Sequence, residues 1–296
     1  MTVRAVGLYE LIGGARNGEL TSRDIALRVE REMSPDIQER LRAWMKELKF
    51  WEEYGEIYFN LEKAWAYRNL ARSIERFLDP RSGEAWLDVG CGPLRVSELI
   101  WEKSSGKLKV IEAIDIVLKP AREKLAKLIQ QGISIPVNLR YASITDPLPY
   151  SNNSFNGIGA NLILPYVTDF QGKRGREALE GVLREMFRVL KPGGHMVWST
   201  PRQGVNFVWV FLASIPDMLN PYEYIAHKDV TRILQGTRIL KHALTIQKKG
   251  KKGIYTFLPK DELEKLLLQI GFVNPVWEKT FTQQVWVNRV DKPAVV

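Results

Sequence analysis

The sequence has a single cysteine, Cys91, among its 296 residues. A disulfide framework and a cysteine-built zinc or iron–sulfur site both need more than one, so neither is compatible with this chain. No apolar run approaches the roughly 18 residues that a membrane-spanning helix requires. Residues 1–20 interrupt their apolar stretches with charge and glycine, which is not typical of a signal peptide. We therefore expect a cytoplasmic protein, either free or held peripherally at a membrane.

Acidic residues are outnumbered: 34 Asp and Glu face 43 Lys and Arg, a net charge of +9. A lysine-rich surface without special function would carry such a charge. So would a protein that binds an anionic partner, either nucleic acid or an acidic membrane surface. Charge alone does not separate these interpretations. The aromatic content, with 9 Trp and 10 Tyr, argues against disorder, and a hydrophobic content of 45% suffices for a large core.

Apolar periodicity and turn residues divide the chain into four predicted segments. The first is helical, with a helix start at Ser34-Pro35-Asp36 and an amphipathic helix between Leu61 and Phe77. The second alternates strands and helices, the third is an insertion that covers the core, and the fourth adds a helix and two strands. In order, the segments are 1–80, 81–200, 201–258 and 259–296.

The alternating segment predicts a parallel, doubly wound α/β sheet. The last two strand-like runs are joined by a short polar turn, so they must be antiparallel, because a parallel connection needs a longer crossover. The predicted strands are Ala85–Val89, Leu108–Ile114, Val137–Tyr141, Phe155–Leu164, His195–Ser199, Phe272–Trp277 and Thr282–Val290.

The first strand leads into a glycine turn. Asp88 is followed by Gly90 and Gly92, and a helix begins directly afterwards. Glycines let the backbone approach a ligand closely, and the helix N-terminus presents free N–H groups. Many nucleotide-binding folds share this pattern. A dinucleotide fingerprint has a third glycine where this chain has Arg95, so a ligand without a diphosphate fits better.

Asp115 closes the second strand. A carboxylate at this tip can accept hydrogen bonds from both hydroxyls of a ribose. A solvated loop aspartate is the alternative, but the preceding glycine turn favours the ribose role. Glu112 is the weaker candidate, because it lies inside the strand.

These features resemble the class I S-adenosylmethionine-dependent methyltransferases. Leu87–Pro93, Asp115, Asn161–Leu164 and Leu190–Gly194 occur in the order and at about the spacing of that family. Within it, the sequence is similar to the branch of ubiquinone and menaquinone biosynthesis C-methyltransferases and related small-molecule and lipid enzymes. The resemblance implies a Rossmann-like, mostly parallel seven-stranded sheet with an antiparallel last strand, plus N-terminal helices and a cap insertion. It also implies S-adenosyl-L-methionine as cofactor and direct methyl displacement onto a small, hydrophobic or lipid-like acceptor.

The same resemblance implies roles for individual residues around the cofactor. Gly90 and Gly92 would line its methionine part, with Asp88 fixing the turn and reaching the amino group. Asp115 would hold the ribose, and Ile116 would pack on the adenine.

Later segments would complete the cofactor site. Ser143 and Ile144 would lie at the adenine edge, Asn161 near the transferable methyl group, and Tyr58 would form an aromatic lid. Relatives often carry an aspartate for the adenine amino group, where this sequence has Tyr141-Ala142-Ser143. Either Ser143 replaces that aspartate, Asp146 reaches in, or the contact is absent.

A general base is needed only if the acceptor must lose a proton. Tyr166, just after the fourth strand, and His227, in the cap insertion, are the candidate catalytic residues. His242 is a further candidate in the cap insertion, with a plain surface histidine as the alternative for both histidines. His195, where the fifth strand begins, is expected to be structural.

Three methyltransferase subclasses are incompatible with the sequence. Enzymes that methylate the amino groups of bases carry Asn/Asp-Pro-Pro-aromatic where this chain has Asn161-Leu162-Ile163-Leu164. Cytosine C5 enzymes need a nucleophilic cysteine, and Cys91 belongs to the glycine turn. Arsenite methylation needs several cysteines.

The cap insertion carries an apolar, aromatic stretch, Val205–Leu219, and a lysine cluster, Lys248–Lys252. One interpretation is a buried cap helix followed by a solvated hairpin turn. The other is an interfacial element whose aromatic face enters lipid while the lysines meet anionic headgroups.

Two rival functions use the same features. The lysines could contact RNA, but no recognised RNA-binding motif accompanies them, so nucleic acid is the less favoured partner. A non-catalytic partner subunit would keep the fold without binding cofactor, and the intact glycine turn and Asp115 argue against it. No pattern identifies the methylated atom or the oligomeric state.

Overall fold

A computed structural model describes residues 35–61, 64–218 and 232–294. His227 lies outside these ranges, and for Tyr58 the structure describes only a helical backbone. The chain divides into two compact units, Met1–Glu53 and Tyr54–Val296. Of the first unit, residues 35–53 are described, and they are helical. Within the described ranges, no helix combines the length and the hydropathy needed to cross a bilayer.

The second unit is built on a seven-stranded sheet with the order β3-β2-β1-β4-β5-β7-β6. Strands β1 to β5 run parallel, and β7 runs antiparallel to both of its neighbours, β5 and β6. This confirms the predicted doubly wound sheet with an antiparallel last strand. The strands are β1 (Ala85–Val89), β2 (Val110–Asp115), β3 (Val137–Tyr141), β4 (Phe155–Asn161), β5 (Leu190–Pro201), β6 (Val273–Thr280) and β7 (Val285–Asp291).

Helices form where apolar residues recur at three and four positions, because that spacing places them on one face. On the helix Trp65–Phe77, for example, Ala66, Leu70 and Ile74 are buried as predicted. The described helices are α1 (Pro35–Leu61), α2 (Trp65–Phe77), α3 (Arg95–Lys103), α4 (Lys119–Gln130), α5 (Arg176–Val189), α6 (Phe207–Met218), α7 (Arg232–Lys251) and α8 (Lys260–Ile270).

The main core lies where α5 and α8 pack against the middle of the sheet. Side chains of β4 and β5, among them Ile158 and Trp198, join the inward face of α5, which carries Leu179 and Leu183. All four of these side chains are buried. The core thereby holds the central parallel strands rigidly, and their carboxyl ends are positioned with them.

Several strand boundaries differ from expectation by one to five residues, and the differences at β4 and β5 have an identifiable cause. β4 ends at Asn161 rather than Leu164, because Leu162 adopts a positive φ of 53° and Leu164–Tyr166 forms a 3-10 turn. β5 begins at Leu190 rather than His195. Its early start has a tertiary cause, since Leu190 pairs with Phe155 of β4.

The secondary structure of the lysine cluster also differs from one of the interpretations of the sequence. The interpretation that placed all of Lys248–Lys252 in a hairpin turn is wrong, because Lys248, Lys249 and Lys251 lie in the last turn of α7 and Lys252 follows it. Basic side chains are favourable at this position, since they compensate the negative end of the helix dipole. The aromatic stretch before it does form a helix, α6.

Candidate functional site

The carboxyl ends of the parallel strands meet at one edge of the sheet. There Asp115 on β2 is in register with Tyr141 on β3, and Asn161 on β4 is in register with Ser199 on β5. The strand order reverses between β1 and β4. Doubly wound sheets bind their ligands outside this reversal point, so the site is expected between the loops that follow β1 and β4.

The loop after β1 is a tight turn in which two glycines are required. Gly90 has φ 66° and Gly92 has φ 45°, a region that side-chain-bearing residues rarely adopt. The N–H groups of Gly90 and Cys91 both donate to the Ile114 carbonyl, at 2.8 and 3.1 Å. A Cβ at Gly90 would lie 2.5 Å from Ile163 Cγ1, whereas one at Gly92 would meet no described atom within 4 Å. The backbone at Gly92 is therefore open to a ligand.

Asp115 ties this loop to the end of β2. Its Oδ2 accepts a hydrogen bond from Gly92 N–H at 2.9 Å, and its Oδ1 accepts one from Val117 N–H at 2.8 Å. Each oxygen of a carboxylate can accept more than one hydrogen bond. The two backbone contacts therefore orient the carboxylate without exhausting its capacity to accept from a ribose.

Asp88 is a buried carboxyl group behind the glycine loop. Its Oδ2 accepts hydrogen bonds from the Ser97 N–H at 3.0 Å and the Ser97 hydroxyl at 2.6 Å. Its Oδ1 is buried without a hydrogen-bond partner among the described residues. Burial raises the pKa of Asp88 to about 7, although the Ser97 hydrogen bonds act in the opposite direction. A nearby ammonium group would stabilise its ionised form.

A hydrogen-bonded network joins α2 to the ends of β4 and β5. Asn161 Oδ1 accepts from the Ser199 hydroxyl at 2.7 Å, and Asn161 Nδ2 donates to the Tyr67 hydroxyl at 3.0 Å. The Ser199 oxygen also accepts from the N–H of Leu162, which helps to hold this residue at its positive φ. The network fixes the path of the chain as it leaves β4.

Sequence reasoning missed Tyr67, Ser97 and Ser199. Ser199 could have been found, because it ends the predicted fifth strand beside the predicted fourth. Ser97 lies one turn into the helix that follows the glycines, and its role becomes visible only with Asp88 buried beneath it. Nothing in the sequence around Tyr67 distinguishes it from other apolar-face residues of α2.

The segment after β3 begins beside Asp115, whose carbonyl accepts from Ala142 N–H at 3.3 Å. The Ser143 and Thr145 hydroxyls share a hydrogen bond at 2.8 Å, and Ile144 packs against the main core. Ile116 is half-buried at the same edge. The structure thus brings the predicted adenine-side residues together, while their contacts with adenine stay predictions.

Tyr166 lies in the 3-10 turn after β4 within an aromatic cluster that we define as Tyr166, Tyr255 and Phe257. Its ring centroid is 5.1 Å from that of Tyr255 and 5.9 Å from that of Phe257. Burial raises the pKa of Tyr166 well above its usual value, and the nearby Tyr54 raises it further. Tyr166 therefore stays protonated at neutral pH, which disfavours it as a general base.

The described histidines differ in their surroundings. His195 is buried against Trp86, with ring centroids 5.0 Å apart, and burial lowers its pKa to about 4. These contacts fit the structural role expected for it. His242 lies on α7, its ring 5.7 Å from that of Tyr54.

A family model described as a methyltransferase domain matches residues 80–252. Curated relatives include the ubiquinone/menaquinone biosynthesis C-methyltransferase UbiE of Cronobacter sakazakii, 37% identical over 122 residues, 40% of this chain and 42% of that protein. UbiE of Klebsiella pneumoniae is 34% identical over the same shares of both chains. The match thus spans about two fifths of these relatives' length.

Solved structures share the fold. The N-methyltransferase NodS of Bradyrhizobium japonicum, in complex with S-adenosyl-L-homocysteine, superposes with a TM-score of 0.50 at 14% identity, covering 82% of this chain and 99% of NodS. A chain from the Haloferax volcanii complex between the Trm112 methyltransferase activator and a methyltransferase gives 0.54 at 12% identity, covering 83% and 98%.

The residues at the sheet edge fit S-adenosylmethionine. The open backbone at Gly92 admits a ligand, and the Asp115 carboxylate suits a ribose. The Asp88 oxygen that no described residue contacts by a hydrogen bond suits an ammonium group. Arg95 replaces the glycine that a diphosphate ligand would require. The site, the fold and the family match agree with the resemblance in the sequence: the chain belongs to the methyltransferase-domain family, within the class I S-adenosylmethionine-dependent methyltransferases.

Proposed function

We propose that the protein transfers the methyl group of S-adenosylmethionine to a small, hydrophobic or lipid-like acceptor. The observation that carries this proposal is the pairing of two environments at the carboxyl edge of the sheet. A polar cofactor cradle with Asp88 and Asp115 lies at the ends of β1 and β2. The aromatic cluster, in which Tyr166 and Tyr255 are buried, begins just after β4. A flat, apolar acceptor suits such a cluster, because aromatic rings gain contact area and stacking there.

When bound, S-adenosylmethionine supplies a methyl group on a positively charged sulfur that becomes neutral as the methyl leaves. The protein's task is therefore alignment and exclusion of water rather than stabilisation of a new charge. Asp115, held by Gly92 and Val117, would fix the ribose. Asp88 would be held ionised by the ammonium group. Asn161, held by Tyr67 and Ser199, would shape the wall near the methyl group.

The aromatic cluster would form the acceptor side of the site. The Pro165 carbonyl accepts from Thr256 N–H at 2.9 Å, so the segment after α7 is pinned to the turn after β4. A protonated Tyr166 would position an acceptor as a hydrogen-bond donor. If the acceptor must lose a proton, His227 stays the candidate base.

The relatives' names support the acceptor class. UbiE is named for C-methylation in ubiquinone and menaquinone biosynthesis, and these products are hydrophobic quinones. The segment they share with this chain is partial, so the acceptor is inferred jointly from this likeness and from the aromatic cluster.

Radiolabelled methyl transfer tests the proposal. Purified protein is incubated with methyl-labelled S-adenosylmethionine and either a lipid extract or total RNA from the source cells. We expect label in the organic phase and none in RNA, and loss of that label in Asp115→Ala. Label in RNA alone would establish the rival function, and label in neither, with no S-adenosylhomocysteine binding, would refute the methyltransferase assignment.

A further inference from the structure

Helix α6 is apolar on the side that it exposes as well as on the side that it buries. Phe207 and Val210 are buried, at 7% and 6% exposure. Val208, Trp209 and Leu212 point away from them and are 39%, 57% and 48% exposed. We call these three residues the α6 outer face. A helix that is apolar all round is normally buried, so this face is unusual for a surface that meets only water.

Helix α7 and the residue after it are strongly basic. Residues 232–252 contain seven Lys and Arg and no Asp or Glu. Lys241, Leu244, Lys248 and Lys251 recur at three and four positions and are all exposed, which places them on one side of the helix. We call these four residues, with Lys252, the α7 outer stripe.

The two features adjoin one another. The N–H of Phe207, the first residue of α6, donates to Gln247 Oε1 on α7 at 2.8 Å. Gln247 precedes Lys248, and Phe207 precedes Val208 and Trp209. The start of α6 and the end of α7 are therefore adjacent, which brings the exposed apolar residues and the lysines to neighbouring parts of the surface.

We propose that the α6 outer face and the α7 outer stripe together dock the protein onto an anionic membrane surface. Exposed tryptophan and leucine enter the boundary between headgroups and acyl chains, while neighbouring lysines attract anionic headgroups. This pairing of apolar and basic residues is complementary to such a bilayer on both counts. An RNA backbone would use the lysines but would leave Val208, Leu212 and Leu244 without a partner.

The position of the surface agrees with the sheet topology. β5 ends at Pro201, at the same sheet edge as the cofactor cradle, and α6 begins six residues later. Docking through α6 would bring that edge close to the bilayer. The inference goes beyond the proposed function, because it assigns a membrane-binding surface and not a reaction. Vesicle binding can therefore be measured without cofactor or acceptor.

Co-sedimentation of the full chain with vesicles tests the inference. Vesicles of phosphatidylcholine alone are compared with vesicles that also contain phosphatidylglycerol. We expect binding to the anionic vesicles that weakens as salt is added, because each lysine contributes about fivefold to the partition coefficient at low ionic strength.

Two variants with matched controls separate the apolar and basic contributions. Trp209→Ser with Leu212→Ser is expected to lower partitioning at least tenfold, whereas Leu268→Ser, a leucine 49% exposed on α8, leaves it unchanged. Replacing the three lysines of the stripe's end by glutamine is expected to lower it about 100-fold. Three exposed lysines elsewhere serve as the charge control. The lysines replaced in the stripe are Lys248, Lys251 and Lys252, and those replaced in the control are Lys107, Lys109 and Lys265.

Three results would overturn the inference: no binding to anionic vesicles at low salt, equal losses in variants and controls, or RNA binding that depends on the stripe while vesicles are ignored. Circular dichroism and the thermal shift with S-adenosylhomocysteine report folding and the cofactor site for every variant. A protein that binds this cofactor product and ignores vesicles refutes only the docking. A protein that binds vesicles and ignores the cofactor product refutes only the proposed function.

Discussion

Replacing Asp88 by asparagine is expected to change stability in a strongly pH-dependent way. Burial raises the pKa of Asp88 from an ordinary 3.8 to about 7 in the folded protein. The folded state therefore holds this proton more tightly than the unfolded chain does. The contribution of Asp88 to stability is therefore greatest below about pH 4, falls as the pH rises towards 7, and stays reduced above that value.

The magnitude follows from the size of the shift. About three pKa units correspond to about 4 kcal/mol of unfolding free energy lost between pH 4 and pH 8. Asparagine keeps an oxygen that can accept from Ser97 but places an amide N–H where Oδ1 was. A buried donor without a partner costs about 1–3 kcal/mol. The carboxyl proton of the parent occupies the same place at pH 4, so Asp88→Asn should destabilise by no more than this cost at pH 4 and should stabilise by about 1–4 kcal/mol at pH 8.

Urea unfolding of the cofactor-free protein at a series of pH values measures this difference. Ser97→Ala is the matched comparison, because it removes the hydroxyl donor to Asp88 while the Ser97 N–H remains, and it should destabilise increasingly as pH rises. Calorimetry should also show S-adenosylmethionine binding to Asp88→Asn weakened about tenfold or more, through loss of the charge opposite the ammonium group. A stability difference between Asp88→Asn and the parent that is independent of pH would refute the reasoning.

Two further predictions concern the glycine loop and the buried histidine. Gly90→Ala is expected to destabilise the protein by about 2 kcal/mol or more, because the added methyl group would clash with Ile163 and the backbone would be held at a positive φ. It should also abolish S-adenosylhomocysteine binding, and unchanged binding by calorimetry would contradict this. Burial lowers the pKa of His195 from 6.5 to about 4, so the folded state favours the neutral imidazole. This preference stabilises the fold by about 3 kcal/mol above pH 6.5, and the contribution is lost as the pH falls to 4. His195→Phe should lose that pH dependence in urea unfolding while keeping the contact with Trp86, and an unaltered profile would show that another group titrates.

The features that sequence alone identified are local ones. The glycine turn is recognisable because positive φ at Gly90 and Gly92 demands glycine whatever surrounds them. Asp115 was identified because a strand's last residue can be read from the apolar run before it. The antiparallel pairing of the last two strands followed from the shortness of their connection.

The errors and omissions depend on distant partners. Lys248–Lys252 resembles a polar turn in isolation, yet its lysines end a helix that packs against α6. β5 starts early because Leu190 pairs with Phe155 on β4, a partner that the residues around Leu190 do not indicate. Tyr67 carries no local mark of its hydrogen bond to Asn161.

The sequence by itself determined the order of strands and helices, the glycine turn and the carboxylate that follows the second strand. Backbone conformation and hydrophobic periodicity act over a few residues, so they are legible without a structure. Tertiary structure alone decided that Asp88 keeps one oxygen without a hydrogen bond from any described residue and that Tyr166 lies among aromatic rings. It also decided that the α6 outer face is exposed. Burial and its effect on charge are properties of the packed molecule, because they depend on residues that meet only after the chain has folded.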